Sequence, residues 1–232
     1  MQQEVTPLRE RVQYVCQVCG TSSPRWMGRC PGCQSFNTMV EEAPAASVPS
    51  HRAGSPAAPV RLAEVAGGGP DRLSSGLAEV DRVLGGGVVP GALILLGGDP
   101  GIGKSTLMLQ VATLMSRDGP VLYATAEESA QQTRLRAERL PTASTDLYLL
   151  EGTDLTAVEA AIAGRRWRLV VVDSLQTVSD PELESAPGSV GQVRAVAARI
   201  MRVAKASDTP VFLIGHVNKE GSKRPRAVGN AA

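Results

Sequence analysis

Aromatic residues make up only 3% of this chain, so the core it builds must be mostly aliphatic. Charge of one sign is also missing: Lys+Arg is 24, Asp+Glu is 23 and the formal net charge is +1. That balance carries no global signature of nucleic-acid binding, and any basic surface has to be local. No apolar run reaches the roughly 18 residues that a membrane span needs. The opening MQQEVTPLRERVQ is polar where a secretory signal has an apolar centre. Both absences point to the cytoplasm and to no membrane partner. Cysteine is confined to four residues, Cys16, Cys19, Cys30 and Cys33. Clustered thiols in a chain without an export signal suggest metal rather than disulfides.

The 232 residues, 43% hydrophobic and 20% charged, suffice for one full globular domain and a small one. Three parts are expected. Residues 1–42 hold the cysteines. Residues 43–60, APAASVPSHRAGSPAAPV, are rich in Pro, Ala and Ser and read as a flexible linker, because they bury too little to offset their chain entropy. Residues 61–232 carry periodic apolar patterning. Strands are expected over 92–98, 120–127, 146–152, 168–174 and 209–217. Helices are expected over 104–119, 129–140, 154–166 and 189–207. Strands alternating with helices, with continuous apolar runs such as RLVVVDS, imply an α/β fold with a mainly parallel sheet flanked by helices.

Residues 98–105, GDPGIGKS, match G-x-x-x-x-G-K-[ST] in full, between an expected strand and an expected helix. Such a loop lets backbone N–H groups converge on a phosphate chain, and the helix N-terminus adds its positive dipole end. The nucleotide site is therefore read as Gly98, Asp99, Pro100, Gly101, Ile102, Gly103, Lys104, Ser105 and Thr106. Lys104 reaches the β- and γ-phosphates, Ser105 holds Mg²⁺, and Thr106 falls near the α-phosphate. Asp173, closing LVVVD, fits the second Mg²⁺ partner; the plainer alternative is a turn or cap carboxylate. Ser174 stands where many motor ATPases place their catalytic Glu. The water-activating carboxylate is therefore sought in ATAEES, which offers Glu127 and Glu128, and Glu127 is preferred. The alternative is a pair of solvated loop carboxylates.

The cysteines form C-x2-C-x10-C-x2-C. Two close pairs can bring four thiolates onto one tetrahedral Zn²⁺, here in a tight ribbon or knuckle. A redox dithiol pair and an iron–sulfur cluster are the alternatives.

Taken together, YVCQVCGTSSPRWMGRCPGCQSFNT, GLAEVDRVLGGGVVPGALILLGGDPGIGKSTL, YATAEESAQQTRLRAERL, VVVDSLQT, APGSVGQVRAVAARIMRVAK and GHVNKEG resemble the bacterial RadA family of DNA repair proteins, also called Sms. The likeness runs from about residue 10 to residue 221. It implies a RecA-like P-loop core behind a small zinc ribbon. It implies ATP hydrolysis coupled to DNA, and the processing of recombination intermediates by branch migration or strand exchange. It also implies a homo-oligomeric ring with ATP between subunits. Glu127 takes the role of catalytic carboxylate, and His216, ending FLIGH, the role of γ-phosphate sensor. Family members continue with a KNRFG motif and a domain resembling the Lon protease fold. Here SKRPRAVGNAA follows instead, which implies a core incomplete at its C-terminus, with weakened turnover and ring assembly.

DNA contacts are expected on 176–194 and 218–226, with Arg194 and Lys219 as the residues of choice, because basic loops grip phosphates without reading sequence. Arg199 and Arg202 are either further contacts or a solvated helix face. SPRWMGR places Trp26 beside Arg25 and Arg29, which reads as a stacking and phosphate patch or as a small-domain core. Two other functions fit the sequence less fully: a non-catalytic module that binds ATP and DNA, and a P-loop kinase for a small molecule. No basic lid supports the kinase.

Overall fold

A computed structural model of the chain describes residues 13–42, 60–64, 71–140, 146–183 and 185–216. Residues 43–59 of the expected linker lie outside them, as do Lys219 and the rest of the basic stretch after His216.

The N-terminal unit is a three-stranded antiparallel sheet of β1 (Gln13–Cys16), β2 (Ser22–Ser23) and β3 (Met39–Glu42), in the order β2-β1-β3. The larger unit has a five-stranded, wholly parallel sheet in the order β4-β8-β7-β5-β6. Its strands are β4 (Leu93–Gly98), β5 (Val121–Thr125), β6 (Leu147–Glu151), β7 (Leu169–Asp173) and β8 (Val211–His216). The helices are α1 (Ala78–Val83), α2 (Lys104–Met115), α3 (Ala130–Ala137), α4 (Leu155–Gly164) and α5 (Val190–Ser207).

The three central strands are buried on both faces, which is why their sequences run apolar without a break. Leu122, Ala124, Val170, Val172, Val211 and Leu213 pack against α4 and α5. Their alternates Val121, Tyr123, Leu169, Val171, Phe212 and Ile214 pack against α2. Each fully buried aliphatic side chain contributes about 1.5–3 kcal/mol. The core is mostly aliphatic, as the shortage of aromatics requires, with Tyr123, Trp167 and Phe212 as its aromatic members.

Polar side chains set the helix starts. Ser129 and Gln132 form a reciprocal capping box on α3, and Asp154 accepts from Thr156 N at 2.8 Å on α4. Ser189 accepts from Gln192 N at 3.3 Å on α5. These caps fall within one residue of the expected starts. The expected C-terminal ends run long: α2 stops at Met115 and α3 at Ala137. Helix α1 has no sequence counterpart among the expected elements, since it is six residues long and starts at Leu77 without a side-chain cap.

The arginines of α5 separate sharply. Arg199 is not part of a solvated face but is engaged within the fold. Its Nη1 donates to both carboxylate oxygens of Asp180 at 2.9 Å, and its Nε donates to Glu159 Oε1 at 3.0 Å. Asp180 is only 4% exposed. The guanidinium thus ties α5 to α4 and to the loop after β7. Arg199→Leu is expected to lower unfolding stability by about 3 kcal/mol, because it strands a buried carboxylate. Urea denaturation checks this; a change close to zero would mean that water replaces the guanidinium. Arg202 remains exposed.

Candidate ATP site and metal centre

All five large-sheet strands run parallel, so their C-terminal ends share one edge, the usual place for a ligand in an open α/β sheet. The loop from Gly98 to Gly103 leaves β4 there. Gly101 (φ +78°) and Gly103 (φ +97°) lie in the left-handed region, and nothing stands within 4 Å of a Cβ built on either. Backbone conformation, not crowding, therefore requires glycine at both. Gly103 is the N-cap of α2 and offers no side chain, which leaves the first-turn N–H groups directed at the loop. Ser105 and Thr106 sit in that first turn.

Lys104 is 7% exposed. Its ammonium donates to Gly98 O and Asp99 O, each at 2.9 Å, and approaches His216 Nδ1 at 3.3 Å. An ammonium only donates, so His216 Nδ1 accepts and Nε2 carries the proton. That Nε2 faces Glu127 Oε1 at 3.4 Å. Parallel pairing of β4 with β8 sets Gly98 opposite His216, which brings that histidine and the P-loop together.

Thr125 pairs with Asp173 across β5 and β7, so the loop after β5 rises beside the end of β7. Glu127 Oε1 accepts from Ser174 Oγ at 2.6 Å. That hydroxyl, with help from His216 and Lys104, holds the Glu127 carboxyl below the ordinary glutamate value, against a partial burial that pushes the other way. Glu128 turns away and is ion-paired with Arg136. Asp173 Oδ2 accepts from Tyr123 OH at 2.7 Å, and the same hydroxyl reaches Ser105 O at 3.4 Å. Burial, reinforced by the Asp173 charge, pushes the Tyr123 phenol far up, so it stays protonated and donates. One Asp173 oxygen is thereby fixed beside the first turn of α2. The donor set of Ser105 hydroxyl and Asp173 carboxylate suits a hard cation such as Mg²⁺.

Lys104, Glu127, Asp173 and His216 thus stand on one edge. Sequence reasoning did not find Tyr123, Ser174 as a partner of Glu127, or Gln176, whose Nε2 donates to His216 O at 3.2 Å. Ser174 drew notice only as a missing Glu. Tyr123 is indistinguishable from a core aromatic until strand register places it next to Asp173.

Arg194 lies elsewhere, against the N-terminal unit: a Cβ built on Gly20 would sit 3.1 Å from its Nη1 and 2.9 Å from Val190 Cγ1. Lys219 is outside the described residues. Trp26 is 58% exposed and does not belong to the small unit's core, which consists of Cys16, Cys30 and Met39 with Tyr14, Cys19 and Cys33 around them. The core reading of Trp26 is therefore replaced by an exposed one.

The four thiols converge, with all ligand atoms within 4.8 Å of one another. Cys16 and Cys33 sulfurs are 3.6 Å apart, and those of Cys19 and Cys30 are 3.5 Å apart. A tetrahedral Zn²⁺ with bonds of about 2.3 Å needs sulfurs about 3.8 Å apart, so the cluster fits. The two halves fold alike: Gly20 N donates to Cys16 O at 2.8 Å, and Gln34 N donates to Cys30 O at 2.9 Å. Gly20 (φ +71°) and Gln34 (φ +66°) hold the same left-handed position. Gln34 shows that the turn tolerates a side chain. Gly20 is glycine because α5 packs against it. Without metal the thiols are unlike one another. Burial pushes Cys16 up, but Thr38 and the N–H groups of Cys19 and Val18 outweigh it and bring it to about 6. Burial pushes Cys19 up to about 11. A dication is what makes all four thiolates at once.

Residues 64–222 match the AAA domain family, and residues 14–41 match the rubredoxin metal binding domain. The chain belongs to the AAA domain family. It is similar to DNA repair protein RadA of Bacillus subtilis, at 47% identity over 221 residues. It is likewise similar to that of Halalkalibacterium halodurans, at 46% over 220 residues, and to that of Streptococcus pyogenes, at 44% over 217 residues. Each comparison covers 92% of this chain and 48% of the relative, so the chain spans about half the length of the curated relatives it matches. The likeness to RadA read from the motifs stands, as does the pairing of a zinc ribbon with an ATP-binding AAA domain. Among the described residues no helix is long and apolar enough to cross a membrane.

Proposed function

We propose that this chain carries the DNA-dependent ATPase core of a cytoplasmic DNA repair protein that drives branch migration or strand exchange on recombination intermediates. Its partners in this reading are single-stranded and branched DNA and further copies of itself in a ring. The observation that supports it most is the meeting of Lys104, Glu127, Asp173 and His216 behind a complete P-loop, in a chain that also has a zinc ribbon. Backbone N–H groups of 98–105 and the Lys104 ammonium bind the β- and γ-phosphates. Ser105 and Asp173 would hold Mg²⁺, which would supply positive charge to offset that of the phosphates. Glu127 accepts a proton from the attacking water and orients it, with Ser174 and His216 fixing the carboxylate. When Lys104 turns to phosphate, His216 Nδ1 loses its donor, and the ring meets the γ-phosphate by donating an N–H, which requires that Nδ1 take up a proton. Arg194 and Lys219 contribute phosphate contacts to DNA.

ATP hydrolysis by the purified chain, with and without single-stranded DNA and beside Lys104→Ala, is the test. The expected result is DNA-stimulated turnover that the substitution abolishes. ATP binding without turnover would support the non-catalytic module instead, and phosphate transfer to a metabolite would support the kinase.

The Glu127 surroundings also fix a pH dependence. With its folded pKa below the ordinary glutamate value, Glu127 is ionised throughout the neutral range. Its contribution is full above that ordinary value and vanishes only as pH falls through the lowered one. Ser174→Ala removes the largest cause of the lowering, so the acid limb of the turnover profile is expected to move up in pH. An unmoved limb would separate Glu127 from the rate-limiting protonation.

A further inference from the structure

We infer that the small four-cysteine unit presents a stacking surface for single-stranded nucleic acid, carried by Trp26, Arg29 and Phe36 around the second cysteine pair; this rests on the DNA-repair reading above. The chain has seven aromatic residues, two Trp, three Tyr and two Phe. Within the large unit Tyr123, Trp167 and Phe212 are buried, and the ring of Tyr148 packs edge-on against Trp167 at 5.3 Å. Tyr148 is still 41% exposed, and Trp26 and Phe36 are more open, at 58% and 71%. A sequence so short of aromatics has thus left its two most exposed Trp and Phe rings on the small unit, and neither belongs to the core around the metal ligands.

Their arrangement is ordered. Arg29 and Phe36 face each other in an antiparallel bridge, and the guanidinium stands 5.2 Å from the Phe36 ring centre. Arg29 Nε donates to Gln34 O at 3.1 Å, which leaves the other guanidinium nitrogens for phosphate. The Trp26 ring lies near Gly28, two residues on, 3.6 Å from a Cβ built there. Two exposed rings and a forked cation thus fall within the eleven residues 26–36, on a unit that the four clustered thiols draw together.

The charge pattern selects the occupant. Residues 17–40 contain Arg25 and Arg29 and no Asp or Glu. The acidic Glu41 lies at the far end of the sheet, in contact with Tyr14. Exposed rings with cations and no acidic neighbours suit a polyanion whose bases can splay onto them. An intact duplex keeps its bases stacked, and the loop presents no helix or ribbon long enough to enter a major groove. Nothing on the loop is placed to read base edges in pairs, so the contact tolerates any sequence.

The test uses the full chain and a fluorescently labelled oligothymidylate, followed by anisotropy over a salt series. Trp26→Ala and Phe36→Ala are each expected to weaken binding about ten-fold. Arg29→Gln is expected to reduce the slope of log affinity against log salt by about 0.7. The oligonucleotide is expected to quench the fluorescence that Trp26→Ala removes. Unchanged zinc content and ATP affinity establish that the variants are folded. Tight binding by the wild-type chain that none of the three substitutions weakens would overturn this inference alone, as would substitutions that abolish a protein contact but spare oligonucleotide binding. No binding by the wild-type chain would overturn the DNA reading itself.

Discussion

Glu127→Gln is expected to lower ATP turnover by about 10² to 10⁴-fold while leaving nucleotide affinity unchanged, because the amide cannot take a proton from water. The magnitude follows from position. Glu127 is the carboxylate that meets Ser174 Oγ at 2.6 Å and faces His216. Its neighbour is spoken for: Glu128 is bound to Arg136. Glu128→Gln is therefore a fitting control, expected to disturb the start of α3 but to leave the chemical step alone. Phosphate release at saturating ATP, with nucleotide titration alongside, separates the two. A Glu127→Gln chain that turns over like wild type would reassign the base; a large loss in Glu128→Gln would exchange the roles of the pair.

Cys30→Ser is expected to have the largest structural effect. Cys30 is fully buried at the centre of a unit whose buried hydrophobic side chains are Cys16, Cys30 and Met39. So small a core cannot fold a unit of this size by itself. Structural zinc supplies about 10–16 kcal/mol in comparable peptides, so losing one ligand is expected to release the metal and unfold residues 13–42. Zinc content is expected to fall from one per chain to none. Limited proteolysis is expected to cut within the ribbon while the larger unit keeps its thermal transition. Chelation of the wild-type chain should give the same pattern. Retained zinc and protease resistance in Cys30→Ser would show that three thiolates suffice.

Much of this site was legible in order along the chain, because local rules carry it. The P-loop needs glycine at fixed positions between a strand and a helix, and 98–105 states that in eight consecutive residues. The cysteine spacing is equally local, as are Ser129, Asp154 and Ser189 at helix starts. What the sequence could not show depends on register between distant strands. Tyr123 and Asp173 are fifty residues apart, and only the pairing of β5 with β7 makes one the donor to the other. The same holds for His216 and Lys104, which meet through β4 and β8. Arg199 misled because the pattern of α5 shows only that it lies off the apolar face. Its fate was decided by two carboxylates on α4 and the loop after β7, which no periodicity reports. For Trp26 the sequence left both an exposed patch and a core place open, since local composition does not report which side of a small unit a ring faces; the structure places it outside.

The strand that feeds the P-loop is held from one side. In the described sheet β4 pairs with β8 alone, and Leu95 stands 62% exposed on it. Among the described residues the Gly-rich loop is thus mounted as a cantilever, anchored through β8 with no strand paired along the other flank of β4. Alternate amides of β4 point toward β8 and away from it, so their hydrogen exchange should alternate between slow and fast. Anything that docks along the open flank stiffens the mount. It would reach Lys104 and His216 through six residues of rigid backbone, without touching the nucleotide.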